Sequence, residues 1–282
     1  MTEAAGHCEQ VVREADKDRF LATLFVPAAQ RPALFALYAF NAEIARVRDL
    51  AREPMPGEIR LQWWREVVEG QRGDEARAHP VASALIAAIE RHRLAPALLA
   101  ELIDAHAFDL YDDAMPTLAH AEAYAAKTAS VLFQLAGIIV ASNAQVERLA
   151  RHAGIAYAFA GWLRLFPRHA ARRQLFVPLD ILGRYGASAE DVFSGKATPA
   201  LRAVLAEMRL HIRGHLSAAD DLLATAPADV LPAFLPLALV RPMLKRMERR
   251  DYDPFAPMEV PQWRRQWALW RAARRPRRMA AS

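Results

Sequence analysis

Residues 18–70 read DRFLATLFVPAAQRPALFALYAFNAEIARVRDLAREPMPGEIRLQWWREVVEG. Apolar residues recur in this stretch at spacings of three and four, the period of one helix face, and the strict alternation of a half-buried strand is hard to find. Pro27 and Pro32 flank a helix start, and Pro54-Met55-Pro56-Gly57 ends that helix with a turn. The same grammar continues outward. Pro80, Pro96 and Pro116 each stand near the beginning of a helix, and Thr117 and Ser188 sit where N-caps belong. The pattern predicts helices over about 8–24, 28–51, 56–71, 79–92, 95–113, 118–141, 145–168, 198–225, 228–248 and 261–274. Two segments interrupt them. Residues 175–186 (LFVPLDILGRYG) are expected to cross the end of the helical bundle, and 251–257 (DYDPFAP) to divide a helical domain, 1–250, from a linker and tail, 251–282. The fold class is all-α.

Composition agrees. Hydrophobic residues make up 54% of the 282, enough for a full core, and with only 11 glycines the Ala- and Leu-rich remainder favours helices over sheets. One cysteine, Cys8, excludes an internal disulfide framework and a zinc cage. No basic start followed by an apolar run opens the chain, and the most apolar stretches, 131–141 and 230–240, are about half of the roughly 20 residues a membrane span needs. A cytoplasmic setting is expected. The net charge of +5 is uneven: residues 261–282 hold seven arginines and no acid, leaving about −2 on residues 1–260. Basicity belongs to the tail, so no nucleic acid is expected as a partner of the whole protein.

Four motifs stand in order along the chain. Pro27 and Arg31 precede Tyr38-Ala39-Phe40; Leu61-Gln62-Trp63-Trp64-Arg65 follows; residues 106–113 lead into YAAKTASV, which begins at Tyr124; and 154–178 end in a basic loop and a Val-Pro exit. This order resembles the squalene/phytoene synthase family over about 15–248. The resemblance implies the isoprenoid (terpenoid) synthase fold, a single helical bundle around a central cavity. It also implies a chemistry, the condensation of prenyl diphosphates, in which Asp-x-x-x-Asp on two helices holds Mg²⁺ against the leaving diphosphate. Magnesium requires oxygen ligands in a near-octahedral shell.

The departures from that pattern are the informative part. Ala45, Arg46 and Asp49 occupy the first aspartate motif, and Leu165 and His169 occupy the second. Gly161 and Arg164 stand for the family's Asn-x-x-Arg. Only Asp49 of the principal carboxylates remains, and Arg46 raises the cost of recruiting a cation. Glu43 is six residues from Asp49 and shares no face with it. Asp104, His106, Asp109, Asp112 and Asp113 form an acidic set with two readings, a solvated helix end or a replacement metal site. Arg46, Lys127, Arg164, Arg172 and Arg173 also have two: forks around a magnesium-free anion pocket, completed by Tyr38, Asn41 and Glu43, or solvated and snorkelling side chains. Phe35, Tyr38, Phe133 and Phe159 are expected to line an apolar channel, and His152 and His169 to lie on the surface.

Trp263, Trp267 and Trp270 recur at four and three, a single helical stripe, among Arg264, Arg265, Arg271 and Arg274. An aromatic stripe beside a basic face suits an anionic membrane surface, at about 1 kcal/mol per cation. The alternative is that the tryptophans pack on the domain.

Phe40-Asn41-Ala42-Glu43 and Gln62-Trp63-Trp64 resemble the branch of the family that contains a mitochondrial respiratory complex I assembly factor. That likeness implies an accessory role, peripheral on an inner membrane, with complex I subunits and a prenyl diphosphate or other lipid as partners and no cofactor. An active prenyltransferase, with Mg²⁺ as its cofactor, is the competing expectation.

Overall fold

The computed structural model describes residues 3–51, 53–111, 113–141, 145–258 and 260–274, and among them every regular element is helical. At the N-terminus the helix expected over 8–24 divides into α1 (Glu3–Ala15) and α2 (Lys17–Thr23). Asp16 causes the break: its carboxylate accepts the Arg19 backbone N–H at 3.0 Å and the Arg19 guanidinium at 2.8 Å, capping α2. The long helix expected next stops at Arg46, giving α3 (Arg31–Ala45) and one further turn, α4 (Val47–Leu50). Nearly every residue of α3 from Ala33 to Phe40 is buried, so it is the central helix, with α1 on one side.

Helices α5 (Pro54–Val68), α6 (Gly73–Ala78), α7 (Pro80–His92) and α8 (Pro96–His106) wrap this centre, α7 against α3 and α8 against α5. Thr117 then caps α9 (Leu118–Ala125), which runs through a π-helical turn, Ala126–Ser130, into α10 (Val131–Val140). Among the described residues this composite helix, Leu118–Val140, is the one long and apolar enough to cross a membrane; 67% of its apolar window is buried inside the fold. It is the core helix of the bundle's second half. Helix α11 (Glu147–Arg164) packs on the π turn, on α10 and along the long α15 (Pro199–Thr225). The approach of α11 to the π turn is so close that a Cβ at Gly154 would overlap the backbone of Ser130, and Ser130 Oγ donates to Arg151 O at 3.0 Å across it.

Leu165 ends α11, and Pro167 starts the short α12 (Phe166–Ala171). Of the non-helical crossing expected over 175–186, residues 175–178 are extended and paired with Met115 (Met115 N to Leu175 O, 3.2 Å; Leu179 N to Met115 O, 2.9 Å), whereas 179–184 are helical. Two short helices follow, α13 (Leu179–Arg184) and α14 (Ala189–Phe193), the second closed by a Ser188–Asp191 capping box. The α-helix expected over 228–248 is instead 3₁₀ over Leu231–Leu239 before α16 (Val240–Met247). Pro232 and Pro236 lack the N–H an α-helix would need there.

The last helix, α17 (Gln262–Arg274), lies on the 3₁₀ segment and on α2. Leu269 and Ala272 are buried, and Arg265 donates to Asp18 Oδ1 at 2.9 Å; Asp18 is itself buried and lies 3.7 Å from Arg164. Phe255 in the link rests on Phe166, with ring centroids 5.2 Å apart. The tail helix is thus docked, but by the face opposite its tryptophans: Trp263, Trp267 and Trp270 remain 64%, 54% and 43% exposed. Arg275, Arg277 and Arg278 lie outside the described residues, as does Asp112.

The close helix approach has a measurable consequence. Gly154→Ala gains helix propensity yet forces the π turn away, so it is expected to lower stability by about 1–3 kcal/mol in urea unfolding. Gly214→Ala, in α15 with no atom near the added Cβ, is expected to raise stability by up to about 1 kcal/mol.

Candidate functional site: a basic cavity between the central helices

The C-terminal end of α3, the turn of α4, the Tyr124–Leu132 stretch around the π turn, and the end of α11 with α12 enclose a cavity of about 420 Å³. A π turn re-aims side chains that a regular helix would place elsewhere, and here it sets Thr128 and Ala129 on the cavity wall below Tyr124. Ala45, Arg46, Asp49, Leu165 and His169, the five positions that the resemblance sets at the two aspartate motifs, line this cavity, as do Asn41 and Arg172. Residues 45–49 and 165–169 therefore meet at one cavity.

The charges at the cavity are paired across it. Asp49 on α4 accepts from Arg172 Nη1 at 2.5 Å and from Arg168 Nη2 at 3.2 Å, joining the first motif to the second. Arg168 was not among the residues expected from the sequence; its place one helical turn before Arg172 is the signal that marks it. Arg19, also missed, lies deeper, held by Asp16 and stacked over Tyr157 and Tyr38 at 4.9 and 5.4 Å. Burial opposes its charge while Asp16 stabilises it, so Arg19 is a permanent cation in the wall. Asp109 is the other acid: Tyr124 Oη donates to its Oδ2 at 2.8 Å, and its Oδ1 is buried without a partner. Burial raises its pKa above the ordinary carboxylate range, against the nearby His106, Tyr124 and Arg48.

These residues do not suit a Mg²⁺ shell. Ala45 and Leu165 offer no donor, Asp49 is engaged by two guanidiniums, and no group of three His, Cys, Asp or Glu among the described residues is placed to hold a metal. The acidic set of the sequence disperses: Asp104 pairs with Arg65, Asp109 faces the cavity and Asp113 is exposed.

Several expected pocket residues lie elsewhere. Tyr38 is buried beneath Arg19, and Glu43 is outside the cavity lining. Lys127 faces a separate cleft, 4.0 Å from Glu101. Arg164 turns away to Asp18, and Arg173 pairs with Glu190 at 3.1 Å over the Phe193 ring. Phe35, Phe133 and Phe159 form no channel. They are core: Phe133 stacks on Phe234 and Phe159 on Trp162, because rings at helical spacing gain more by packing than by lining an open space. The apolar wall of the cavity is instead Leu132, Ala158, Trp162 and Phe176.

The histidines expected on the surface are both engaged. His152 Nδ1 lies 3.0 Å from His215 Nδ1, and His215 Nε2 lies 3.3 Å from Glu122. His169 sits against Phe176 in the cavity wall, where burial, aided by Arg168 and Arg172, lowers its pKa to about 4. Cys8 is buried, and burial pushes its thiol up to about 11, so it is inert at neutral pH.

This all-helical bundle around one cavity has the isoprenoid-synthase fold, as comparison with known proteins shows. The chain belongs to the squalene/phytoene synthase family, whose sequence model matches residues 12–271. It is 32% identical over 252 residues, 89% of its length and 76% of the relative's, to NADH dehydrogenase (ubiquinone) complex I assembly factor 6 of Homo sapiens. Phytoene synthase of Arthrospira platensis is 24% identical, with 93% and 90% of the two chains covered. Among solved structures, a dehydrosqualene synthase superposes with a TM-score of 0.83 at 15% identity over 97% of this chain and 96% of that one. Squalene synthase HpnC from Alicyclobacillus acidocaldarius gives 0.78 at 22% identity, covering 89% and 95%. Those two likenesses concern the fold.

The buried imidazole gives the site a pH signature. An unfolded chain protonates His169 below about pH 6.5, whereas the folded one resists until about 4. Between those values the unfolded state binds more protons, so folding stability falls as pH falls. In His169→Leu that part of the loss is expected to vanish, read as a smaller difference in urea midpoint between pH 6.5 and 4.5 than in the wild type.

Proposed function

We propose that this protein is a non-catalytic member of its family, acting as an assembly or lipid-binding factor for respiratory complex I from the surface of the membrane that holds the complex. One observation carries the reading. Where paired aspartates would face a diphosphate through Mg²⁺, this chain presents Ala45, Leu165 and His169, and its remaining aspartate is tied to Arg168 and Arg172. The relatives named as complex I assembly factor 6 support the assembly role. The cavity itself supports a lipid ligand: an arginine-rich rim of Arg46, Arg168 and Arg172 suits an anionic head group, and Leu132, Trp162 and Phe176 suit an apolar chain. No resident cofactor is part of this proposal.

Pyrophosphate release from C15 and C20 prenyl diphosphates, with Mg²⁺ or Mn²⁺ present, is expected to stay at the level of the protein-free control. Farnesyl diphosphate is expected to bind equally with and without chelator. Steady release that chelator abolishes would overturn the non-catalytic reading and restore the transferase. A deletion strain is expected to lose complex I activity and to regain it with Asp49→Ala or the wild-type gene alike. Normal complex I activity in that strain would remove the assembly role.

A further inference from the structure

Away from the central cavity, a groove of about 330 Å³ runs between α17 and the 238–245 stretch at the start of α16. Its lining is selective. Arg241 and Lys245 come from one wall and Arg264 and Arg271 from the other; Trp263 and Trp267 stand at its side; Ala238, Pro242, Ala268 and Ala272 complete it; and no carboxylate among the described residues lines it. Arg241 is held by Asp220 of α15, while Arg264 and Arg271 are exposed and lie 5.1 and 5.0 Å over the rings of Trp263 and Trp267. Arg274 repeats the arrangement over Trp270 at 4.1 Å.

Helix α17 has two opposed faces, and one of them is buried. Arg265, Leu269 and Ala272, four and three residues apart, hold it to the core, so Trp263, Trp267 and Trp270 face outward. Large indoles left in water beside cations, on a helix whose other side is already buried, form a patch that needs an amphipathic partner. An indole places an apolar body in the acyl boundary and its N–H among head groups, and guanidinium forks match phosphate oxygens.

We propose that this groove seats the phosphate of an anionic phospholipid, with Trp263, Trp267 and Trp270 at the head-group boundary, so that the α16–α17 face is a preformed bilayer contact. This deepens the proposed work at a membrane surface and rests on it. Because α17 is already folded and docked, binding requires no coil-to-helix transition. Because the groove has two walls, Lys245 on α16 is expected to contribute alongside the arginines of the tail.

The full-length protein is sedimented with vesicles of phosphatidylcholine containing about one-third phosphatidylglycerol, and with phosphatidylcholine alone. Binding is expected to the anionic vesicles only, with a blue shift of tryptophan emission and unchanged far-UV circular dichroism. Arg264→Gln/Arg271→Gln is expected to weaken it about 30-fold, at roughly fivefold per cation. Lys245→Glu, on the opposite wall, and Trp263→Ala/Trp267→Ala are each expected to weaken it at least fivefold, all variants keeping wild-type helicity. Inorganic phosphate at matched ionic strength is expected to displace nothing; displacement would overturn the bilayer assignment in favour of a free-anion site. If wild type binds but the groove variants bind as well as it does, the groove assignment falls and the membrane reading stands. If wild type ignores both kinds of vesicle, the membrane reading falls with it.

Discussion

Asp49 reaches across the mouth of the cavity to Arg168 and Arg172, and through it the two halves of the site hold each other directly. The resemblance to squalene and phytoene synthases implies facing carboxylates at this place, which repel one another until a divalent cation lies between them. In this chain one side is acidic and the other basic. The attraction is therefore built into the covalent chain and needs no ion. All three side chains are partly exposed, so the pairs add little to stability. Their consequence is chemical: they engage both oxygens of Asp49, and Arg46 adds a further positive charge at the same cavity.

The cavity survives because its walls are set by packing that does not involve those residues. Gly154 lets α11 approach the π turn, and the turn in turn brings Thr128 and Ala129 to the wall and leaves Tyr124 facing Asp109. On the other side α3 is held by buried rings and aliphatic side chains along most of its length. Such a frame tolerates exchange of the polar residues at its open end without rearrangement, which is how one fold carries different functions. The buried Arg19, with Asp16 and two tyrosine rings around it, belongs to this frame as much as to the site.

Much of this was readable beforehand. Helical spacing, proline punctuation and the Thr117 and Ser188 caps act over four or five residues, so the sequence displays them whole. The convergence of residues 45–49 with 165–169 followed from likeness to a family, and the structure places all five named motif positions on one cavity. Arg168 escaped notice because its meaning depends on Asp49, which is 119 residues away in the chain. Phe133, whose stacking partner Phe234 is also remote in the chain, was misassigned for the same reason: a ring on a helix looks alike whether it meets another ring or an open space. His152 reads as a surface residue because its neighbour, His215, lies 63 residues away in the chain.

The sequence by itself determined the fold class and the helix starts, since these are properties of local pattern and of residue identity. It also determined that the positive charge gathers near the end of the chain. Only the tertiary structure decided which face of α17 is buried. Both stripes are apolar enough to pack, and the buried carboxylate of Asp18, which must find a cation when taken out of water, selects the face bearing Arg265 and turns the tryptophans to the outside. The same holds at the cavity, where the sequence shows three charged residues and the fold alone makes them one closed ion-paired bridge.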